Sequence, residues 1–256
     1  MTVNELDRWL SDYLETGKFP MDPSQNGIQV GNSDPVGKPV SRIAFGVDAC
    51  LETILRAREA GAGLLVVHHG LLWGRVERVC GIYYRRVKAL LDADMALFAC
   101  HLPLDAHPVC GNNYGMASRL SLTDTAPFGQ WREASIGVIG ELPRALPAQN
   151  VLEALFPGRG RDCRLWPFGT RSEVRRVAIV SGGAGDMVGQ AAEAGADLYV
   201  TGEVGHEEYH RMAELGLTVA ACGHYLTETV GVALLAERVR ASLNLETMFV
   251  DVPTGM

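Results

Sequence analysis

Short apolar runs alternate with stretches whose apolar positions recur at helical spacing along most of the chain. The opening stretch, 1–16, sets Leu6, Trp9, Leu10, Tyr13 and Leu14 on one helical face and Glu5, Asp7, Asp12 and Glu15 on the other. That pattern predicts an amphipathic helix rather than a secretory leader. Beyond it, strands are predicted at 42–47, 63–67 and 96–100, separated by helices at 49–60 and 84–93. A second series predicts strands at 174–180, 197–200 and 218–221, separated by helices at 186–194 and 209–214. Such β-branched and apolar runs between helices indicate parallel strands covered on both faces, so the class is α/β. Between the series, residues 123–170 are rich in Pro and Gly, with a strand at 134–140 and a helix at 148–156. A long last helix is expected at 226–243, packing on either half. The domain boundary is expected near Thr125, giving domains 1–125 and 126–256.

The two series repeat one another in their residues. Glu59-Ala60-Gly61-Ala62, an apolar run and His68-His69 correspond to Glu193-Ala194-Gly195-Ala196, an apolar run and Thr201-Gly202-Glu203. A further helix and strand then lead in each half to a Cys/His pair with an acid four residues on: Cys100-His101 with Asp105, and Cys222-Gly223-His224 with Glu228. The expected architecture is a pseudo-duplicated chain of two similar three-layer α/β domains, with one shared metal site in the cleft between them.

Composition narrows the class without naming a chemistry. The chain has 256 residues, 47% hydrophobic and 21% charged, enough for a packed core. No apolar run reaches the roughly 18 residues of a membrane span. Six cysteines, Cys50, Cys80, Cys100, Cys110, Cys163 and Cys222, include no C-x-x-C pair, which argues against a zinc ribbon and a dithiol redox motif. With no leader, reduced thiols and a cytoplasmic location are expected. The net charge of −7 disfavours nucleic acid as a partner, because phosphate binding needs a cationic face. Arg171, Arg175 and Arg176 form a small basic cluster that reads as a solvated edge.

The chemistry lies at strand ends. His68 and His69 follow an apolar run and precede Gly70, where open α/β sheets place ligand-binding groups. Adjacent side chains diverge, so each ring is expected to face a different metal. His101-Leu102-Pro103-Leu104-Asp105 also follows a strand, and its proline favours a loop over a helix; taken alone, Asp105 reads as a helix cap or turn residue. His224 and Glu228 share one face at the start of the last helix, and the alternative for them is an ordinary i,i+4 pair. Imidazole and carboxylate without thiolate suit Zn, Mn, Fe, Co or Ni in a hydrolytic role, and five ligands suit two ions sharing a carboxylate. Two weaker signals are Ser181-Gly182-Gly183-Ala184-Gly185-Asp186, either a phosphate cradle or a tight turn, and Gln25-Asn26-Gly27-Ile28-Gln29-Val30, either site amides or a turn opening a strand.

The succession Gln25-Asn26-Gly27-Ile28-Gln29-Val30, His68-His69-Gly70, His101-Leu102-Pro103-Leu104-Asp105-Ala106-His107, Thr201-Gly202-Glu203 with His206, and Gly223-His224-Tyr225-Leu226-Thr227-Glu228 resembles the NIF-three-like family of dinuclear-metal-centre proteins, the GTP cyclohydrolase type-two homologs. The resemblance runs from the N-terminal helix to the last strand. It implies two similar α/β domains without the central insert of longer members, a ring- or cage-shaped homohexamer, and two divalent metals per subunit. Carried over, the ligands are His68, His69, Asp105, His224 and Glu228, with Glu228 the bridge. Asn26 stands where the family commonly has Asp. In the reaction this implies, a metal-bridging hydroxide attacks guanine C8 of GTP or a related nucleotide, and His101 shuttles a proton as the catalytic residue. Phosphoester hydrolysis and a non-enzymatic hexameric scaffold or partner-binding role are the alternatives, because fold and metal site do not fix a substrate.

Overall fold

Each series of alternating runs folds into its own sheet. The computed structural model describes residues 1–75 and 77–256. The described chain divides into two compact units, residues 1–104 with 232–252 and residues 105–231 with 253–256. The first break therefore falls between Leu104 and Asp105 rather than near Thr125, and the chain re-enters the first unit partway along its last helix. The physical reason is that the segment after Leu104, including helix 112–119, hydrogen-bonds to residues of the later sheet: Asn113 Nδ2 donates to Ile136 O and Asn113 Oδ1 accepts from Ser181 N–H.

In the first unit, helix α1 (Val3–Tyr13) begins with a capping box. Glu5 N–H donates to Thr2 Oγ1, while Glu5 Oε2 accepts from Thr2 N–H at 2.9 Å, which satisfies two amides that a helix start leaves open. Strand β1 (Gly27–Val30) follows, then β2 (Arg42–Asp48), α2 (Leu51–Glu59), β3 (Leu64–His69), α3 (Gly81–Asp92) and β4 (Ala96–Ala99). Next come α4 (Leu102–Ala106), α5 (Asn112–Arg119), β5 (Thr123–Trp131), β6 (Ala134–Leu146), α6 (Ala148–Leu155) and β7 (Arg164–Pro167). The second series is β8 (Val174–Val180), α7 (Val188–Glu193), β9 (Leu198–Thr201), α8 (Tyr209–Leu215) and β10 (Thr218–Ala221). The chain closes with α9 (His224–Leu243) and β11 (Glu246–Phe249).

The fold is mixed α/β with two sheets, ordered β1-β4-β3-β2-β11 and β5-β6-β8-β9-β10-β7. Strands β2, β3 and β4 are parallel neighbours, and so are β8, β9 and β10. The duplication extends one strand further than the residues suggest. Each half carries an antiparallel edge strand on its third parallel strand, β1 on β4 and β7 on β10. Outside this shared core the halves differ: β11 adds parallel to β2, whereas β6 adds antiparallel to β8 and β5 to β6.

In the first unit, Leu65, Val67, Leu97 and Ala99 of the sheet pack with Ile54, Ala57 and Leu90 of α2 and α3, all fully or almost fully buried. Each aliphatic side chain removed from water there contributes about 1.5–3 kcal/mol. This burial fixes the strand register, because a slip of one residue would turn every side chain to the other face. In the second unit, Val177, Ile179, Tyr199, Val200 and Val219 are buried in the same manner, and Tyr199 donates its hydroxyl to Ala184 O at 2.7 Å. Among the described residues, no helix is long and apolar enough to cross a membrane.

Candidate functional site

The carboxyl ends of the parallel strands carry almost every residue singled out above, the position where open sheets leave backbone and side chains exposed to a ligand. His68 and His69 are the last two residues of β3, and His101 follows β4. The burial of the strand makes His68 a fully buried polar residue. Its Nδ1–H donates to Cys100 O at 3.0 Å. His69 donates from Nδ1 to Asp48 Oδ1 at 2.8 Å, and Asp48 is its register partner at the end of β2. His101 donates from Nδ1 to Asp22 Oδ1 at 2.9 Å. With Nδ1 committed in each ring, Nε2 is the nitrogen left to serve as a ligand or to carry a proton.

One ring nitrogen from each of His68, His69 and His101 lies within 4.8 Å of the others. The His68 and His69 ring centroids are 4.7 Å apart, with the rings tilted by 44°. Trp73 stands edge-on to His101 at 5.0 Å.

Asp22 is the hub that the residue pattern did not reveal. Its carboxylate accepts from His101 Nδ1, Ser24 N–H, Asn26 Nδ2 and Leu102 N–H. Burial alone would push this carboxyl up, but the hydrogen bond and positive charge of the His101 ring, with the other donors, hold it below the usual aspartate range. Asn26 Oδ1 accepts from His101 N–H at 2.8 Å. The Asn26 side chain is thus a positioning group whose two ends serve Asp22 and His101.

Asp105, His224 and Glu228 belong to the second unit. Residues 102–106 form helix α4, not the loop expected from Pro103. Proline is tolerated there because a first helical turn has no intrahelical partner for its amides. Asp105 Oδ1 accepts from Asn112 Nδ2 at 2.9 Å and from Ser181 Oγ at 2.8 Å. Asn112 Oδ1 also accepts from Gly231 N–H in α9, so one buried amide ties the carboxylate to the helix that bears Glu228. A carboxylate oxygen of Asp105 lies within 4.8 Å of one of Glu228.

His224 and Glu228 sit one helical turn apart in α9, with Nε2 and Oε1 separated by 3.0 Å. His224 Nδ1 meets Glu203 Oε1, also at 3.0 Å, just after β9. The hydrogen bond that His224 Nε2–H donates to Glu228 outweighs burial and, with the charge of both glutamates, raises His224 to about 9. The imidazole is held between two carboxylates.

The Ser181–Asp186 segment is a bend that runs into a 3-10 turn at Gly185–Met187. Its leading amides already have partners: Ser181 N–H donates to Asn113 Oδ1 and Gly182 N–H to Thr227 Oγ1. Gly182 has φ of 67°, and a Cβ there would overlap Glu228 Oε1 and lie 3.2 Å from His224 Nε2. Its role is to let backbone approach the carboxylate. The Arg171, Arg175 and Arg176 side chains are tied to Asp197 and Glu141 at the surface, in keeping with a solvated edge.

Residues 1–255 match the Duf34/NIF3 (NGG1p interacting factor 3) family. The chain belongs to that family. Among its curated Duf34/NIF3 relatives, a Treponema pallidum (strain Nichols) protein named GTP cyclohydrolase 1 type 2 homolog is 42% identical over 290 aligned residues, with 100% of each chain covered. A Deinococcus radiodurans protein of the same name is 42% identical, with 99% of this chain and 94% of the relative covered. A crystal structure of a Thermus thermophilus protein superimposes with a TM-score of 0.88 at 36% identity over 100% of both chains. The solved protein ybgI, described as of unknown function, gives 0.90 at 32% identity, also over 100% of both. These likenesses give this family member its fold and its full-length correspondence.

Proposed function

We propose that this Duf34/NIF3 protein is a divalent-metal-dependent hydrolase, with His68, His69, Asp105, His224 and Glu228 holding two ions and Glu228 shared between them. The observation that carries the reading is the common treatment of the histidines: all four rings have Nδ1 engaged by a carbonyl or carboxylate, which is how metal-ligating histidines are oriented. Asp105 is braced in the same way, with Oδ1 held by Asn112 and Ser181. Imidazole and carboxylate donors without thiolate fit Zn, Mn, Fe, Co or Ni. When bound, such ions supply Lewis acidity and make water acidic enough to act as a nucleophile near neutral pH.

The chain's own residues supply orientation and proton movement. His101 is the proposed proton carrier. Asp22 fixes its tautomer by accepting from Nδ1, so Nε2 is the atom that gives or takes the proton. His224 must release its proton before Nε2 can serve as a donor, so metal uptake competes with protonation there. A purine nucleotide, with GTP opened at guanine C8 as the first candidate, is the proposed substrate on the strength of the relatives' names. A homohexameric ring in a reducing cytoplasm completes the proposal.

The test is reconstitution with Mn, Fe or Zn, followed by a nucleotide panel including GTP, with products read by mass spectrometry beside a Glu228→Ala control. Metal-dependent ring opening of GTP, absent from the control, is the expected result. Absence of turnover on every nucleotide with both ions bound would remove the nucleotide reading.

A further inference from the structure

Two of the six cysteines, Cys163 and Cys222, stand at the same end of one strand pair, outside the histidine and carboxylate groups. Strands β7 and β10 are antiparallel, pairing Pro167 with Thr218, Trp166 with Val219, Leu165 with Ala220 and Arg164 with Ala221. Cys163 and Cys222 are the residues one step beyond the Arg164–Ala221 end of this ladder, and continuing its register would set them opposite one another. Cys222 N–H donates to Thr201 O at 2.8 Å, toward β9. A strand residue directs its N–H and C=O to the same side, so toward β7 Cys222 occupies a non-hydrogen-bonded position. Opposed Cα atoms at such positions approach to about 4.5 Å. That spacing lies inside the range of about 4.4–6.8 Å that a disulfide spans.

The side chains agree with the backbone. Both cysteines are buried and reduced, and the neighbouring Cys222 thiol holds Cys163 below the ordinary thiol range. A cavity of about 100 Å³, lined by Cys222, Arg159, Asp162, Tyr225 and Met256, lies beside the pair. It has room for several molecules the size of water, and so for hydrogen peroxide.

We propose that Cys163 and Cys222 are a redox-active pair that hydrogen peroxide converts to a reversible cross-strand disulfide. One sulfur attacks a peroxide oxygen as its thiolate, the O–O bond breaks, and the departing oxygen takes a proton to become water. The resulting sulfenic acid is attacked by the second sulfur, the S–S bond forms, the S–O bond breaks, and the second water leaves with the remaining thiol proton. Two thiols are oxidised and one peroxide is reduced to two waters. The product clamps edge strand β7 to the turn that leads into α9. Neither the pairing nor its oxidation depends on the metal reading.

The experiment treats the folded full-length protein with hydrogen peroxide, quenches it by alkylation, and maps peptides without reduction. The expected outcome is loss of two hydrogens per chain in most molecules, a linked Cys163–Cys222 peptide, and its disappearance after dithiothreitol. The Cys163→Ser and Cys222→Ser variants should each abolish that mass loss. Should a variant fail to fold, the wild-type peptide map decides alone. Oxidation confined to the exposed Cys80, with Cys163 and Cys222 alkylated as thiols until urea is added, would overturn the proposal.

Discussion

Replacing Gly182 by Ala separates a backbone requirement from a steric one, because Gly195 supplies an internal control. Both glycines lie in the left-handed region, with φ of 67° and 71°. A Cβ at Gly195 meets nothing within 4 Å, whereas at Gly182 it overlaps Glu228 Oε1. The left-handed conformation costs an L residue roughly 1–2 kcal/mol, and the stiffer unfolded chain returns about half of that. Gly195→Ala should therefore lose about 1 kcal/mol. Gly182→Ala carries the same penalty and must also displace a carboxylate that is only 2% exposed and paired with His224. Overpacking of this kind adds about 1–3 kcal/mol, for a total of about 2–4 kcal/mol. Urea unfolding of chelated protein, followed by fluorescence and circular dichroism together, measures both losses. Calorimetric titration with Mn should show at least about tenfold weaker binding for Gly182→Ala, a shift of about 1.4 kcal/mol, and little change for Gly195→Ala. Equal stability losses in the two variants, or unaltered Mn affinity in Gly182→Ala, would refute the claim that this turn shapes the Glu228 pocket.

His101→Asn should keep metal content by elemental analysis while lowering kcat by about 10²–10⁴-fold; loss of the metals with it would make His101 a ligand. Asp22→Asn presents an amide to four donors and should cost about 3 kcal/mol in urea unfolding. The raised His224 value gives a pH signature in metal-free protein. Its folded value of about 9 exceeds the ordinary 6.5, so the stabilisation is full below 6.5 and disappears as pH rises through about 9. Thermal unfolding in chelator should track that decline, and Glu228→Gln should flatten it.

The alternating βαβαβ series was legible because its strands are buried on both faces and its helices have open, periodic patterns. Strand β10 falls at the expected 218–221, and α6 and α9 begin within two residues of expectation. Strand β5 escaped because its first five residues are exposed and it contains Pro127, leaving no period-two signal. Strand β7 is four residues long, contains Pro167, and owes its place to pairing with β10 rather than to burial. Strand β11 is likewise short and only partly buried, and joins the first sheet through register with β2. The candidate ligands stood out through the repeat and the resemblance. Their supports did not, since a lone acid has no spacing to betray it. Asp48 alone carried a usable signal: an acid at the end of the strand next to β3 is the natural partner of a strand-end histidine. Asp22, through His101, and Asn112, through Gly231, act across distances in the chain that no local pattern encodes.

The two short antiparallel strands, β1 and β7, also bear on where the molecule opens first. Because they occupy the sheet margins, every strand that delivers a candidate residue, β2, β3, β4, β8, β9 and β10, has a neighbour on both sides. Fraying begins at margins, where backbone amides have a single strand to hold them. In a hydrogen-exchange time course, the amides of β1 and β7 should therefore take up deuterium well before those at the carboxyl ends of β3 and β10. The margins act as sacrificial layers, so the breathing of the sheets is spent at a distance of one strand from the residues that carry the chemistry.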